Sequence, residues 1–265
     1  MKHNPVSDFV YQLFALILSI IIVHIVYVTV IRPNADAILQ KQQEQQAAGE
    51  TVEITRSAYI IVKDYEQETC FILALWVMAI IGLKAKFALH ERALLSQSLL
   101  EVTPGTSILP EDTRQYARPL QSLPEQEREY LLPRALMTAL QRFGSTRDVQ
   151  DVSTAVGEVC DTEMDRLDSE LSMVRYIIWA IPSIGFIGTV RGIGQALGQA
   201  HEAVAGDIVG VTVSLGVAFN STFIALIISI IIMFLMHQLQ LLQERLVLDT
   251  KHYCDVNLVR HLQVR

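Results

Sequence analysis

The feature that most constrains this chain is an uncharged run near its amino end. Residues 9–31 contain no Asp, Glu, Lys or Arg. At about 1.5 Å per residue, a helix of that length measures about 34 Å, more than the ~30 Å hydrocarbon core of a bilayer. Only 18% of the residues are charged and 51% are hydrophobic, whereas a soluble domain has roughly 25% charged residues. We therefore expect a membrane protein and exclude a soluble globular enzyme.

Three further runs are apolar enough to cross a membrane as helices. The second run is uncharged from 69 to 83, and the third, after Arg175, includes the single charge of Arg191. The fourth run, 208–243, is uncharged, and its helix would measure about 54 Å, too long for the bilayer alone. The predicted fold class is an all-α polytopic membrane protein with four transmembrane helices. Its long third and fourth helices extend into the cytoplasm, where the chain also forms a helical domain.

The distribution of basic residues predicts the orientation of these spans. Lys and Arg are retained on the cytoplasmic side, and residues 87–174 contain eight arginines whereas the turn at 199–207 has no Lys or Arg. Both termini are therefore predicted to be cytoplasmic. The predicted segments are a cytoplasmic N-terminus at 1–8, TM1 at 9–32, an acid-rich periplasmic segment at 33–68, TM2 at 69–89, a cytoplasmic helical domain at 90–174, TM3 at 175–200, a periplasmic turn at 201–207, TM4 at 208–237 and a cytoplasmic C-terminal helix at 238–265.

A long helix is predicted to lead into the third span. Apolar residues recur at helical spacing from Val149 to Val174 and continue without a break into that span. We expect one continuous helix from about residue 146 to 200. Pro182 should kink it, because the proline ring removes a backbone hydrogen bond.

Small residues form a ladder in each of the last two spans. They are Gly185, Gly188 and Gly192 in the third span, and Gly210, Ser214 and Ala218 in the fourth. Such repeats let two membrane helices pack closely. One interpretation is therefore a purely structural contact, and the other is that the ladders form the wall of a pore.

Polar side chains interrupt the same two spans. Thr189 lies on the glycine side of the third span, and Asn220, Ser221 and Thr222 follow one another in the fourth. Counting along antiparallel helices places the two threonines at similar depth, and Pro182 frees a carbonyl in the third span. The hydroxyls either bond back to carbonyls of their own helices or line an ion pathway. Both interpretations fit these residues.

Two ionisable residues lie inside the predicted spans. Arg191 would cost several kcal/mol in lipid unless it reaches the interface or is paired. It is expected either to reach toward Glu202 or Asp207 at the outer interface, or to face a central lumen and form a salt bridge with a partner protein. His24 is interpreted as a lone buried or interhelical histidine in preference to a proton relay. Because no predicted span contains Asp or Glu, a carboxylate that carries protons would come from another chain.

Two stretches of these spans carry a recognisable pattern. They are IPSIGFIGTVRGIGQAL at 181–197 and SLGVAFNSTFIALIIS at 214–229. The first contains Gly-Phe-Ile-Gly-Thr-Val from Gly185 to Val190, and the second leads from small residues through Thr222 into an apolar helix. In both stretches the chain resembles the MotA/TolQ/ExbB proton-channel family, which comprises multi-span subunits of ion-driven motors in bacterial inner membranes.

The resemblance implies a function and a set of partners. It implies a homopentamer around two copies of a single-span protein of the ExbD, TolR or MotB kind, whose membrane aspartate binds the ion. The family's threonines match Thr189 and Thr222, and its kink proline matches Pro182. Importer-type members carry a glutamate about one turn before the second threonine, where this chain has Val217. The chain would then be a proton-channel and stator subunit, not an enzyme, that couples the proton-motive force to mechanical work.

Other functions stay open at this stage. A non-conducting inner-membrane scaffold that recruits cytoplasmic proteins would use the same glycines for packing. A self-contained transporter is disfavoured, because no intramembrane acid or inverted repeat is visible. Threonine hydroxyls suit either H+ or Na+. The net charge of −7 includes no basic stripe that would bind nucleic acid, no ligand spacing predicts a metal, and no cofactor is expected.

Overall fold

The computed structural model describes residues 5–47, 57–97, 99–100, 106–206 and 208–264. The fold is all-helical, and four of the described helices are long and apolar enough to cross a membrane. These four are Asp8–Gln42, Tyr65–Leu94, Val149–Gly198 and Val209–His261. The predicted all-α fold with four membrane-length helices is therefore confirmed.

The α-helices follow one another with short connections. In chain order they are α1 (Pro5–Val26), α2 (Arg32–Ala47), α3 (Ala58–Val62), α4 (Tyr65–Leu94), α5 (Thr113–Ser122), α6 (Glu125–Arg128), α7 (Leu131–Thr146), α8 (Val149–Glu170), α9 (Ser172–Gly198), α10 (Ala200–Val204) and α11 (Val209–Asn257). A π-helical turn at Tyr27–Ile31 joins α1 to α2, so the first predicted span continues as a helix beyond residue 32. Short 3-10 turns lie at Pro110–Asp112 and Val259–His261.

The chain divides into two compact units. The span unit comprises Val6–Ile80 and Met173–Met236. The α7–α8 unit comprises mainly Ile81–Ser172 and His237–Arg265. Because α4 and α11 pass from one set of residues to the other, each of these helices contributes to both units.

The α7–α8 unit has a core of large apolar side chains. Leu136, Leu140 and Phe143 of α7 are at most 1% exposed and belong to one buried cluster with Cys160 of α8. Cys254 of α11 lies in the same cluster. The segment predicted as a cytoplasmic helical extension of the fourth span therefore contributes to this core.

The segment from 146 to 200, predicted as one helix, consists of two helices that meet at a turn. α8 starts after an N-cap at Asp148, whose carboxylate accepts the N–H of Gln150 at 2.8 Å. It ends at Leu171, whose N–H donates to the Asp168 carbonyl at 3.1 Å. The predicted segment is therefore helical on both sides of one turn at Leu171. The sequence did not reveal this turn, because the apolar periodicity continues through it.

Some predicted segments include residues that the structure does not describe. Residues 1–4 of the cytoplasmic N-terminus, 48–56 of the periplasmic segment and Asp207 of the outer turn lie outside the described residues. In the part of that turn that is described, Gly206 has a φ of +100°. A left-handed backbone of this kind favours glycine over any other residue.

Candidate functional site

The glycine side of α9 packs directly on the small residues of α11. A methyl group added to α9 would meet α11 at 2.5 Å from Gly185 (Cβ of Ala225), at 2.5 Å from Gly188 (Cβ of Ser221) and at 2.7 Å from Gly192 (Cβ of Ala218). Side-chain carbons in proteins do not approach so closely, because repulsion rises steeply below van der Waals contact. A larger residue at any of these three glycines would therefore push the two helices apart.

The remaining small residues of the ladders have different surroundings. Ser214 donates its hydroxyl to the side-chain oxygen of Gln199 at 3.0 Å, and a methyl added at Gly210 would lie 3.1 Å from the Gln199 Cδ. In contrast, a methyl added at Gly194 or Gly198 would meet no described atom beyond its own helix within 4 Å. The close contact thus involves one side of α9.

Thr189 and Thr222 meet between α9 and α11, with their hydroxyl oxygens in hydrogen-bond contact. Thr222 also donates to the Gly185 carbonyl at 3.1 Å. Thr189 donates to the Ala218 carbonyl at 3.1 Å and lies 3.4 Å from the Gly185 carbonyl. Each hydroxyl has one proton, so either threonine can donate to the other while its partner donates to a carbonyl. The pair therefore has two hydrogen-bond arrangements.

Ser221, Asn220 and Pro182 are placed differently with respect to this pair. Ser221 is 1% exposed, and its hydroxyl has no hydrogen-bond partner among the described residues. Asn220 is half-buried. Pro182 lies inside α9 about two turns before Thr189, next to Ile181, whose carbonyl accepts the Cys70 thiol at 3.7 Å. Of these three residues, Ser221 is the one that faces the glycine side of α9.

Arg191 forms an ion pair within the chain. Its Nη2 donates to Oε2 of Glu66 at 2.8 Å, and its Nε lies 2.7 Å from Oε1 of the same residue. Asp64 is a second neighbouring acid, with Oδ1 3.8 Å from Nη2. The approach to Glu202 that the sequence suggested is therefore corrected to Glu66, since the first turn of α4 lies beside α9. Glu202 instead lies 3.8 Å from His201.

Glu66 also lies against the glycine side of α9. A methyl group added at Gly188 would be 3.3 Å from Cγ of Glu66 and 2.6 Å from the hydroxyl oxygen of Ser221. We call the surface of α9 at Gly188, where the helix has no side chain, the bare patch. The first turn of α4 thus brings the Glu66 carboxylate to this patch, where the Ser221 hydroxyl, unpartnered among the described residues, also lies. Glu66 belongs to the predicted periplasmic segment, so the predicted spans themselves still contain no Asp or Glu, and a proton-carrying carboxylate from another chain stays a prediction.

Asp64 is largely buried just before α4. Its backbone N–H donates to Oε1 of Gln67 at 2.9 Å, and its Oδ2 is buried without a hydrogen-bond partner among the residues that the structure describes. Burial raises the pKa of the Asp64 carboxyl above its ordinary value; Lys63 and Arg191 oppose this shift, and the negative charge of Glu66 adds to it. The Asp64 carboxyl therefore binds a proton more readily than an exposed aspartate does.

A second ionic cluster joins α1, α2 and α4. Nδ1 of His24 lies 2.7 Å from Oε1 of Glu68, and Arg32 binds the other oxygen of this carboxylate. The Arg32 guanidinium lies over the rings of Tyr65, 4.3 Å from the ring centre, and Tyr27, at 5.6 Å. His24 is therefore an interhelical histidine, which is one of the two structural interpretations of this residue, and its side chain is 58% exposed, so it is not buried. The cluster links three helices and is a structural contact.

The first turn of α4 is the part of this region that sequence reasoning missed. Glu66 and Glu68 were assigned to the periplasmic segment, although both are nearly buried. A signal was available, because counting places Arg191 about 13 Å below the outer end of its span. An arginine at that depth needs an acid, and these two glutamates directly precede the uncharged run of the second span.

Metal and thiol chemistry have little support in this region. Among the described residues, no group of three or more His, Cys, Asp or Glu could hold a metal ion. Cys70, Cys160 and Cys254 are buried free thiols. The region is thus built from hydroxyl, carbonyl, carboxylate and guanidinium groups.

Comparison with known proteins adds a family. Residues 127–252 match the sequence model of the MotA/TolQ/ExbB proton channel family, which confirms the resemblance seen in the sequence. The matched stretch includes both Thr189 and Thr222, whereas Asp64 and Glu66 lie outside it. No match to the chain was found among curated proteins or among solved structures.

Proposed function

We propose that this chain, which belongs to the MotA/TolQ/ExbB proton channel family through residues 127–252, is a proton-conducting subunit of a motor complex. The observation that carries the proposal is the hydroxyl pair of Thr189 and Thr222 between two closely packed helices. Each hydroxyl can accept a proton from one neighbour while it donates its own to another. A pair with two hydrogen-bond arrangements can therefore relay protons.

The proposed complex contains five copies of this chain around two copies of a single-span protein with a membrane aspartate. Protonation of that aspartate removes a charge that is costly in a low-dielectric environment. Each proton would then let the partner helix move relative to the ring, so that the proton-motive force drives mechanical work. We place the complex in the bacterial inner membrane with both termini of this chain in the cytoplasm, in agreement with the distribution of basic residues.

Exposed apolar side chains support an oligomer embedded in lipid. Phe186 and Val190 of α9, and Phe219 and Phe223 of α11, are each more than half exposed. These side chains offer a surface for acyl chains and for neighbouring copies of the chain. Arg191 is engaged with Glu66, and a salt bridge from Arg191 to the partner protein stays a prediction.

Proton uptake into vesicles tests this function. The full chain is reconstituted with a candidate single-span protein that has a membrane aspartate, and uptake is followed with a trapped pH-sensitive dye under an imposed membrane potential. Replacement of both Thr189 and Thr222 by Ala should lower the rate about 100-fold, the size of effect expected when positioned proton-transfer groups are removed. A complex whose partner protein lacks its membrane aspartate should take up protons no faster than the complex with the double threonine variant.

A matched control lies on the same helix as Thr222. Thr212 is exposed, and its hydroxyl donates to the Ile208 carbonyl of its own helix at 2.9 Å. Thr212→Ala should therefore leave proton uptake unchanged. Wild-type uptake in the double threonine variant would reject the channel. A requirement for Na+ in the buffer would assign sodium as the conducted ion instead.

A non-conducting scaffold is the second candidate, and one observation favours it. The hydrogen bonds of the Thr189 and Thr222 hydroxyls all end on α9 or α11, as in a helix pair held by packing. In a scaffold, vesicles with the wild-type complex take up no more protons than vesicles without protein. The double alanine variant would then lower thermal stability alone.

A further inference from the structure

We infer that Asp64 and Glu66, bridged by Arg191, form a proton-binding site of this chain beside the buried hydroxyl of Ser221. The inference deepens the proposed function, because the channel would use the bound proton. Proton binding itself can be tested without a conducting complex.

The charges of the site favour one bound proton. One guanidinium lies within 4.0 Å of two carboxylates, whose side chains are 14% and 12% exposed. Poorly hydrated surroundings disfavour two charged carboxylates beside one guanidinium, which favours uptake of a proton. Once one carboxyl is protonated, Arg191 keeps the other as its counterion. The proton can therefore bind and leave without a buried, unpaired arginine, which would be costly.

The contacts indicate which carboxyl holds the proton at rest. Glu66 has the closer contacts with Arg191, at 2.7 and 2.8 Å, whereas Asp64 is 3.8 Å away. Asp64 also has a buried oxygen without a partner in the described residues. The other charges that act on Asp64 are Lys63 and Arg32, and burial outweighs their effect on its pKa. Asp64 is therefore the resting position, and Glu66 connects it to the spans.

The hydroxyl of Ser221 is the independent sign that this site continues into the spans. It is buried and unpartnered among the described residues, and it shares the bare patch at Gly188 with Glu66. The Ser221 hydroxyl makes no hydrogen bond to either carboxyl or to the threonine pair among the described residues. The inference is therefore that the two carboxyls bind and release one proton, and Ser221 marks the side of the site at Gly188.

Infrared spectroscopy of the full chain tests proton binding directly. The chain is placed, without a partner, in vesicles of phosphatidylethanolamine and phosphatidylglycerol, and the carbonyl stretch of protonated carboxyls is followed against pH. At about pH 6, exposed carboxyls with a pKa near 4 are ionised. Burial also raises the pKa of the Glu91 carboxyl, so all spectra are recorded with Glu91→Gln in place. We then expect one residual band in the chain that keeps Asp64 and Glu66. Asp64→Asn and Glu66→Gln should each abolish this band, because either substitution leaves a neutral carboxylate–arginine pair.

Two variants keep the experiment decisive. Glu68→Gln changes an acid of the same helical turn that pairs with His24 and Arg32, and it should leave the band in place. Arg191→Gln removes the shared counterion and should increase the band, since two neighbouring carboxylates then resist ionisation. All variants are compared at the wild-type elution volume in size exclusion. Absence of the band in the chain that keeps Asp64 and Glu66, its persistence in both acid variants, or its loss in Arg191→Gln would overturn the inference.

Proton flux separates this inference from the proposed function. With the partner protein present, Glu66→Gln should lower uptake about 100-fold, and Glu68→Gln should not. If the infrared band responds to the acid substitutions as expected but the double threonine variant keeps wild-type flux, the proton site is supported and the channel is rejected. No residual band together with flux loss in the threonine variant rejects the site and supports the channel.

Discussion

Opposite kinds of packing stabilise the interiors of the two units of this chain. In the α7–α8 unit, large side chains such as Leu140 and Phe143 are buried, and removal of apolar surface from water stabilises the fold. In the span unit, glycines lie at the helix contact, while large side chains such as Phe186 and Phe223 are exposed. In lipid, burial of these side chains gives no hydrophobic stabilisation. Close packing and polar pairs therefore stabilise the contacts between these helices.

The ionic clusters of the two units differ in their ratio of acidic to basic residues. In the α7–α8 unit, Glu163 is shared by Arg134 at 2.5 Å and Arg166 at 3.1 Å. In the span unit, Arg191 is shared by two acids. In the first cluster one carboxylate has two guanidinium neighbours, whereas in the second one guanidinium has two carboxylate neighbours, an arrangement in which the two acids oppose each other's ionisation. The same residue types therefore support a fixed salt bridge in one unit and a proton site in the other.

The largest expected effect is the loss of the span unit on enlargement of a glycine. Gly188→Leu would place side-chain carbons on Ser221 and Glu66 and should prevent recovery of folded protein, since overpacking costs about 1–3 kcal/mol even for small insertions. Size exclusion in detergent measures this. Gly194→Leu, at a glycine with open surroundings, should elute as the wild type; equal behaviour of the two variants would contradict the packing difference.

In the α7–α8 unit the opposite change, from large to small, should destabilise. Leu140→Ala leaves a cavity in a closed core and should lower the free energy of unfolding by about 2–5 kcal/mol. Denaturant titration of the full chain provides the measurement. Leu248→Ala, at a position that is 62% exposed, serves as its control. If Leu140→Ala lowers the free energy of unfolding no more than Leu248→Ala does, this core is not closely packed.

A smaller effect is expected when the fixed salt bridge is changed. Glu163→Gln removes the carboxylate that pairs with Arg134 and should lower the free energy of unfolding by about 1–3 kcal/mol. Arg166 retains Glu170, 3.2 Å away, which limits the loss. Thermal unfolding at neutral pH measures the change. Glu158→Gln, an exposed acid of the same helix, should match the wild type, and an equal loss in that variant would show that overall charge is responsible.

The last prediction concerns orientation and should not change stability. Val204→Cys, on α10 and 91% exposed, should react with a membrane-impermeant maleimide added to spheroplasts. Gln141→Cys, exposed on α7, should react only after permeabilisation. The native thiols are buried, so their background should be low. The reverse labelling pattern would place the α7–α8 unit outside the cytoplasm.

Much of this architecture could be predicted from local patterns. The lengths of the apolar runs predicted four membrane-length helices, and helical spacing predicted the small-residue side that Gly185 and Gly188 present. Depth counting placed Thr189 and Thr222 at one level, where the structure brings their hydroxyls into contact. Residue spacing along a helix is enough for such conclusions, because the rise per residue is constant.

Other features depended on which helices are neighbours. Spacing indicated that Arg191 needs an acid but not that Glu66 is its neighbour. It gave no sign that His24 pairs with Glu68 or that Cys254 joins the core of α7 and α8. Leu171 likewise interrupts a segment whose apolar pattern is continuous.

The sequence by itself determined that this chain crosses a membrane in helices and where its small and hydroxyl-bearing residues fall along them. The tertiary structure alone decided which acid neutralises Arg191 and that the unpartnered hydroxyl of Ser221 shares a patch with a carboxylate. The reason is physical: the period and rise of a helix are properties of the backbone. The partner of a charge depends on the rotation and neighbours of whole helices, which are set by packing across the unit.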